Sequence, residues 1–320
     1  MFGRLLLVWL CFMGALAYYW PQWMPGIWDP FVASKDVLNY FFSVTMFALG
    51  SLLPKEEIAM VFRRWPTVLG GTAVQYTVMP FFGWSMAWLF GLDEGTRIGI
   101  IIVGCVPGAM ASNVLTMIAR GNVSYSVSIT TSSTVLSPIV VPFGLWLCLG
   151  RYVNFSVGKV SFDLAWMVVL PVVAGHLLSR YFTPWQRLAG RFAGIVANLS
   201  ILWIISVVVA LNREAVMKID ARLFWALSAV NVLGYVGGWF GAYLMGLPYN
   251  MRRALTLEVG MQNAGLGTVL ALSVFSEYSA AAIPPAIYTF GCVFTGTILA
   301  RIWAEMSNRR ELRETQQKPS

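Results

Sequence analysis

Ten apolar segments separated by short breaks limit what this chain can become more than any other feature of its sequence. They fall at about residues 3–20, 37–54, 66–90, 97–119, 122–150, 162–180, 186–211, 221–246, 252–275 and 281–306. Each is close to the roughly 20 apolar residues an α-helix needs to cross a bilayer. The breaks hold turn-formers: Pro21 with Pro25, Pro54, Gly91 with Asp93, Gly121 with Asn122, Pro184 and Pro248. Tryptophan and tyrosine gather at segment ends (Tyr19, Trp20, Trp23, Trp28, Trp65, Trp185, Trp303), as interfacial belts do. Composition decides against the alternatives: with 58% hydrophobic and 11% charged residues, the chain is too apolar for a soluble or a disordered protein. The pattern predicts an all-α polytopic membrane protein of ten transmembrane helices.

The N-terminus, with Arg4 before LLLVWLCFMGALA, resembles a signal peptide. The run continues through Tyr18, Tyr19 and Trp20 without a small-residue cleavage site, so an uncleaved first helix is expected. The net charge of +8 is spread over loops and the tail, whereas a nucleic-acid footprint needs one contiguous basic face. Counted by side, 15 of the 22 lysines and arginines share the side of the N-terminus, among them Arg4, Lys55, Arg63, Arg64, Arg301 and Lys318. The other side holds Lys35, Arg97, Arg151, Lys159, Arg213, Lys218 and Arg222. Both termini are therefore expected in the cytoplasm, with the chain in the cell membrane, a bacterial inner membrane. Cys11, Cys105, Cys148 and Cys292 lie inside apolar runs without a CxxC spacing and are expected to be buried, inert thiols.

Ten spans divide into five plus five, and an odd number per half sets the halves in opposite orientations. Inverted repeats over about 1–155 and 156–306 are expected within one membrane domain, 1–306, followed by a polar cytoplasmic tail, 307–320. The fourth segment reads VPGAMASNVLTMIARGN and the ninth LEVGMQNAGLGTVLALS, each with a small-residue, amide-bearing interruption, expected at Ala111-Ser112-Asn113 and at Gln262-Asn263-Ala264-Gly265. Asn113 and Asn263 mark these interruptions, 150 residues apart. Paired broken helices in inverted repeats point to a secondary transporter's binding site.

Of the 14 carboxylates, Glu258 alone sits well inside an apolar segment, six residues past Arg252. An ionised carboxylate there is costly unless paired, cation-bound or protonated, and no lysine or arginine lies in the middle of any segment. Glu258 is thus a cation ligand, a proton carrier or a protonated structural group. The cation is favoured by the oxygen donors in other segments. SYSVSITTSSTVLSP in the fifth places Ser126 and Thr130 on one helical face, four residues apart; hydroxyls also serve helix packing and bond to their own backbone. Gln75, in TAVQYTVMP, is a further amide that needs a partner. Neutral oxygens around one carboxylate suit a small hard cation, while half-helix N-termini offer N–H groups to an anion. His176, without acidic neighbours in its segment, is a poor proton relay.

EVGMQNAGLG at 258–267, together with ASNVLTMIARGNVSYSVSITTSST at 111–134, resembles the bile acid:sodium symporter family, in a bacterial-type member. The resemblance implies a core domain of helices 3–5 and 8–10, a panel of helices 1, 2, 6 and 7, and broken helices 4 and 9 that cross. It implies two sodium sites. One set is Ser112, Asn113, Ser126, Thr130 and Glu258; the other is Gln75, Glu258, Gln262 and the carbonyls of Val259 and Met261. Substrate is expected beside Met110, Ala111, Asn263, Ala264 and Val293: a bile-acid-like organic anion or a smaller monocarboxylate such as pantoate. Met110 and the stretch Cys292-Val293-Phe294-Thr295 make that side apolar, so a polar dianion such as succinate should compete poorly.

The leading expectation is a sodium-coupled symporter of an organic anion working by alternating access. Proton coupling through Glu258 is the alternative. A membrane-embedded enzyme would need converging catalytic groups that one histidine and one intramembrane carboxylate do not supply. A channel would show charged rings or repeated pore loops.

Overall fold

A computed structural model describes residues 6–55, 57–150, 152–214 and 220–316. Arg4, Arg151, Lys218 and Lys318 of the charge count, and the end of the tail, lie outside them. Every apolar segment is helical. We label them α1 (Leu6–Trp23), α2 (Leu38–Ser51), α3 (Trp65–Leu89), α4a (Glu94–Cys105) with α4b (Ala111–Ile118), and α5 (Val123–Leu149). Then follow α6 (Val157–Tyr181), α7 (Thr183–Leu211), α8 (Ala221–Leu244), α9a (Tyr249–Gly260) with α9b (Ala264–Val274), and α10 (Ile283–Gln316). Five stretches, over α5, α6, α7, α8 and Ser279–Arg309, are long and apolar enough to cross a membrane.

Local chemistry sets the helix ends. Asp93, Asn122, Ser156 and Asp220 cap α4a, α5, α6 and α8 with side-chain oxygens on free N–H groups. Prolines stand in the first turns of α3 and α7, where no donor is lost. Pro21, expected to end the first segment, instead lies inside α1. Proline gives no N–H to the carbonyl four residues back, here Ala17. Arg213, at the end of α7, fills that gap: its Nε and Nη2 donate to Ala17 O at 3.1 and 2.6 Å, and Asp29 pairs with it at 2.5 Å. In α6 a π-helical turn at Ala165–Val169 precedes Pro171 and absorbs the change of register.

Two further expectations need correction. Cys11 is exposed on α1 and Cys148 is half-buried; only Cys105 and Cys292 are buried. α1 is apolar all round, so an outward thiol meets no penalty beside lipid. The last helix does not stop near residue 306 but continues to Gln316; an Arg309–Glu305 pair one turn apart supports its polar end.

α2 packs against α6 and α7, and α1 against α7. α3 packs against α4a, α5 and α8, and α8 against α9a. The half-helices of α4 and α9 lie against α5 and α10. One continuous buried core runs through these contacts, including Ile100, Ile101, Ile102, Val103, Leu255 and Leu257.

Candidate functional site

The fourth and ninth segments break because their sequences supply small residues and proline where a helix would need side-chain packing. α4 is interrupted at 106–110, through Val106-Pro107-Gly108, and α9 at 261–263. The two breaks meet. Ala109 N donates to Met261 O at 2.8 Å and Asn263 N to Pro107 O at 2.8 Å, closing an antiparallel bridge between Gly108 and Gln262. Backbone groups orphaned by one interruption are thus satisfied by the other, as a dry environment requires.

Glu258, one turn before the break in α9, is fully buried. Ser112 Oγ donates to its Oε2 at 2.5 Å and Thr130 Oγ1 to its Oε1 at 2.7 Å. Among the described residues no lysine, arginine or histidine pairs with it. Thr130 Oγ1 also lies 3.3 Å from Asn113 Oδ1 and 3.0 Å from the Ser126 carbonyl, and its single proton serves one of these three acceptors at a time. Ser112, Asn113, Ser126, Thr130 and Glu258, from three helices, therefore form one continuous patch of oxygens.

Of the second expected group, Gln75, Gln262 and the Val259 carbonyl are joined by hydrogen bonds. Gln75 Nε2 donates to Gln262 Oε1 at 2.9 Å, and Gln262 Nε2 donates to Val259 O at 3.0 Å. Gln75 is fully buried, and its Oε1 has no hydrogen-bond partner. A buried amide oxygen without a donor is an open acceptor. Met261 is extended, and its carbonyl is already engaged by Ala109; a carbonyl keeps a second lone pair.

On the other side of the crossing the side chains are half-buried. Asn263 caps α9b, its Oδ1 accepting from Leu266 N at 3.2 Å, which leaves its Nδ2 as the outward donor. Met110, the residue before α4b, gives no side-chain cap, and Ser112 N and Asn113 N instead bond the carbonyls of Ala109 and Met110 at 3.0 and 3.2 Å. Met110 and Ala111 are half-buried there, and Ala264 is buried. Val293 is half-buried on α10 and makes no side-chain polar contact. Thr295, two residues on, turns to α8 instead. A cavity of about 120 Å³ lined by Trp88, Arg97, Cys148 and Tyr152 lies at the far ends of α3, α4a and α5 from Glu258. His176 is buried on α6, outside this group, with both ring nitrogens unbonded.

Residues beyond the expected set complete the site. Thr116 Oγ1 donates to Ser126 Oγ at 3.2 Å; it stands four residues after Ser112, on the same helical face, and that spacing is the signal for it. Gly108 is required by close approach, because a Cβ there would fall on the Glu258 carboxylate. Asn231 and Tyr288, on α8 and α10, both bond the Gly260 carbonyl.

Comparison with known proteins agrees. The model of the Sodium Bile acid symporter family matches residues 40–219. The chain is 30% identical to the uncharacterized sodium-dependent transporter YocS of Bacillus subtilis (strain 168), over 97% of this chain and 94% of that protein. This chain belongs to the sodium bile acid symporter family. It is 28% identical to the probable chloroplastic sodium/metabolite cotransporter BASS1 of Arabidopsis thaliana, over 92% of this chain and 76% of the relative. The ileal sodium/bile acid cotransporter of Cricetulus griseus is 26% identical, over 88% of this chain and 84% of its own. A family of sodium-dependent transporters, together with the apolar helices, makes this a multi-pass membrane transporter and not an enzyme.

Proposed function

We propose that this chain is a sodium-coupled symporter that moves an organic anion by alternating access. One observation carries the reading. Glu258 is a fully buried carboxylate that pairs with no cationic side chain among the described residues, at the meeting of two broken helices, among neutral oxygens. A charge so placed needs a counter-charge, and hydroxyl, amide and carbonyl oxygens are the ligands of a hard cation. Proton carriage would use Glu258 alone and would leave the Gln75 oxygen unexplained.

Two sodium ions share that carboxylate. The first takes Ser112, Asn113, Ser126, Thr130 and Glu258. The second takes Gln75, Glu258, Gln262 and the Val259 and Met261 carbonyls. The substrate carboxylate meets the Nδ2 groups of Asn113 and Asn263, with Met110, Ala111, Ala264 and Val293 against its hydrocarbon body. A bile-acid-like anion or a smaller monocarboxylate such as pantoate fits this flank.

Ten membrane crossings in two inverted halves are supported by matched packing. α3 lies on α4a as α8 lies on α9a, and α1 lies on α7 as α6 lies on α2. We assign α1, α2, α6 and α7 to the panel and the remaining helices to the core, with both termini cytoplasmic in a bacterial inner membrane. Phe42 of α2 lies beside Gly265 at the start of α9b, a panel–core contact that must part when the site changes sides.

The test is a melting curve of the purified protein in sodium and in potassium. A cation that binds only the folded state raises stability by mass action, so sodium should raise the midpoint and equal potassium should not. Glu258→Gln should remove the difference. No sodium–potassium difference at any substrate concentration would refute the reading.

A further inference from the structure

α9a ends at Gly260, and its last carbonyls have no intrahelical partners. Leu257 O still closes the last helical bond, accepting from Met261 N at 3.0 Å; beyond it Val259 O accepts from Gln262 Nε2 at 3.0 Å and Met261 O from Ala109 N at 2.8 Å. The Gly260 carbonyl turns the other way. Asn231 Nδ2 donates to it at 2.8 Å and Tyr288 Oη at 2.9 Å. Asn231 and Tyr288 are buried, and Asn231 Nδ2 lies 3.3 Å from Tyr288 Oη. Thr295 Oγ1 lies 2.7 Å from Asn231 Oδ1 and 2.8 Å from Gly291 O of its own helix; when its proton goes to Asn231, the amide Nδ2 is set toward Gly260. Tyr235 Oη stands 3.1 Å from the same Thr295 hydroxyl, and its ring covers Gly260 so closely that a Cβ there would enter it.

With Met261 extended, the carbonyls on either side of it point to opposite faces. Fixing Gly260 O on the α8–α10 face therefore fixes Met261 O on the α4 face. We propose that Asn231 and Tyr288 are positioning residues for cation binding: they hold the α9 bend so that the Val259 and Met261 carbonyls and Gln262 keep the geometry a sodium ion needs. The inference rests on the sodium reading above and extends it to side chains that touch neither ion nor substrate. It also ties the bend to α10, because Thr295, which orients Asn231, lies two residues from Val293. Sodium affinity thus depends on the seat of α10.

The experiment uses full-length purified protein in lipid nanodiscs, titrated with sodium chloride at constant total salt, and reads the sodium-dependent rise in melting temperature. The variants are Tyr288→Phe, which removes one hydroxyl and keeps the ring, Asn231→Ala, and Thr289→Ala as a control. The Thr289 hydroxyl bonds only its own helix, at Pro285 O. One net hydrogen bond changes an equilibrium about three- to tenfold. Tyr288→Phe should raise the sodium half-saturation by roughly that factor, Asn231→Ala by more, and Thr289→Ala should leave it unchanged. A role in packing alone would lower the melting temperature in potassium and leave the sodium half-saturation at the wild-type value. That result in Tyr288→Phe overturns the inference, even if Asn231→Ala fails to fold. The wild-type titration separates the two levels: without a sodium response the sodium reading itself fails, whereas a wild-type response unchanged in Tyr288→Phe removes only the positioning role.

Discussion

Gly108→Ala tests how closely the two broken helices must approach. A Cβ built at Gly108 overlaps Glu258 Oε1 and stands 2.7 Å from its Cδ and 3.2 Å from its Cγ. The backbone cannot withdraw cheaply, because the Ala109–Met261 and Asn263–Pro107 bonds flank it at 2.8 Å each. The carboxylate must turn instead. Oε2 is held by Ser112 at 2.5 Å, so the weaker tether is Oε1 to Thr130 at 2.7 Å. Losing one hydrogen bond to a charged group costs about 1.5–3 kcal/mol, and tenfold in affinity corresponds to about 1.4 kcal/mol. The sodium half-saturation should therefore rise roughly 10- to 100-fold, in melting curves and in uptake into proteoliposomes alike. Gly144→Ala is the matched control, since its Cβ would stand 3.4 Å from the Cys105 sulfur, an ordinary contact. Wild-type sodium dependence in Gly108→Ala, in protein that still folds, would refute the claim that the Glu258 carboxylate is held in its binding position by this contact.

Three other outcomes follow from the same geometry. Ser126→Ala combined with Thr130→Ala should blunt the sodium-dependent stabilisation by at least tenfold in half-saturation while the potassium melting temperature moves little; a full sodium response would remove α5 from the site. Asn263→Ala should weaken substrate half-saturation about tenfold and sodium much less, as uptake at varied sodium and substrate would read; equal losses would mean the amide serves the bend and not the anion. Single cysteines from Lys55→Cys and Glu94→Cys, in a chain whose Cys11, Cys105, Cys148 and Cys292 are replaced by alanine, should label from the cytoplasmic and the outer side respectively with an impermeant maleimide. The reverse pattern would invert the orientation.

Much of the fold was legible because a bilayer imposes a length and a polarity on every span. The ten runs overlap the helices, and Gln262 and Asn263 lie in the break of α9, but the break of α4 falls at 106–110, ahead of the expected Ala111-Ser112-Asn113, which form the first turn of α4b because Pro107 and Gly108 stop the helix earlier. Glu258 stood out for the same physical reason, a charge where none is cheap. What stayed hidden was partnership across the chain. Pro21 reads as a terminator until Arg213, 192 residues later, takes the carbonyl it leaves free. Gly108 reads as one more flexible residue until the Glu258 carboxylate is seen to occupy the space its side chain would fill. Asn231, Tyr235, Tyr288 and Thr295 carry no local pattern at all. They are ordinary polar residues in apolar helices, and only the unpaired carbonyl of Gly260 explains their facing one another.

On the proposed reading, the two ligand classes would meet at single side chains rather than through a long path. Asn113 Oδ1 lies 3.3 Å from Thr130 Oγ1, and Asn113 is half-buried on α4b. Asn263 commits Oδ1 to the first turn of α9b and its own N–H to Pro107 O. A cation that tightens the Glu258 patch therefore fixes the amide group that faces an anion, and an anion that orients the amide fixes the oxygen that faces the cation. Such a linkage is reciprocal by necessity, typically on the order of 1–3 kcal/mol. Here it needs no movement larger than the rotation of two amides and the closing of one backbone bridge. The Gly108–Gln262 bridge gives the crossing its stiffness, because neither break can shift without leaving a backbone donor unpaired in a dry environment. Coupling therefore requires that the two helices be broken at the same level, and Pro107 and Gly108 facing Met261 and Gln262 supply that condition.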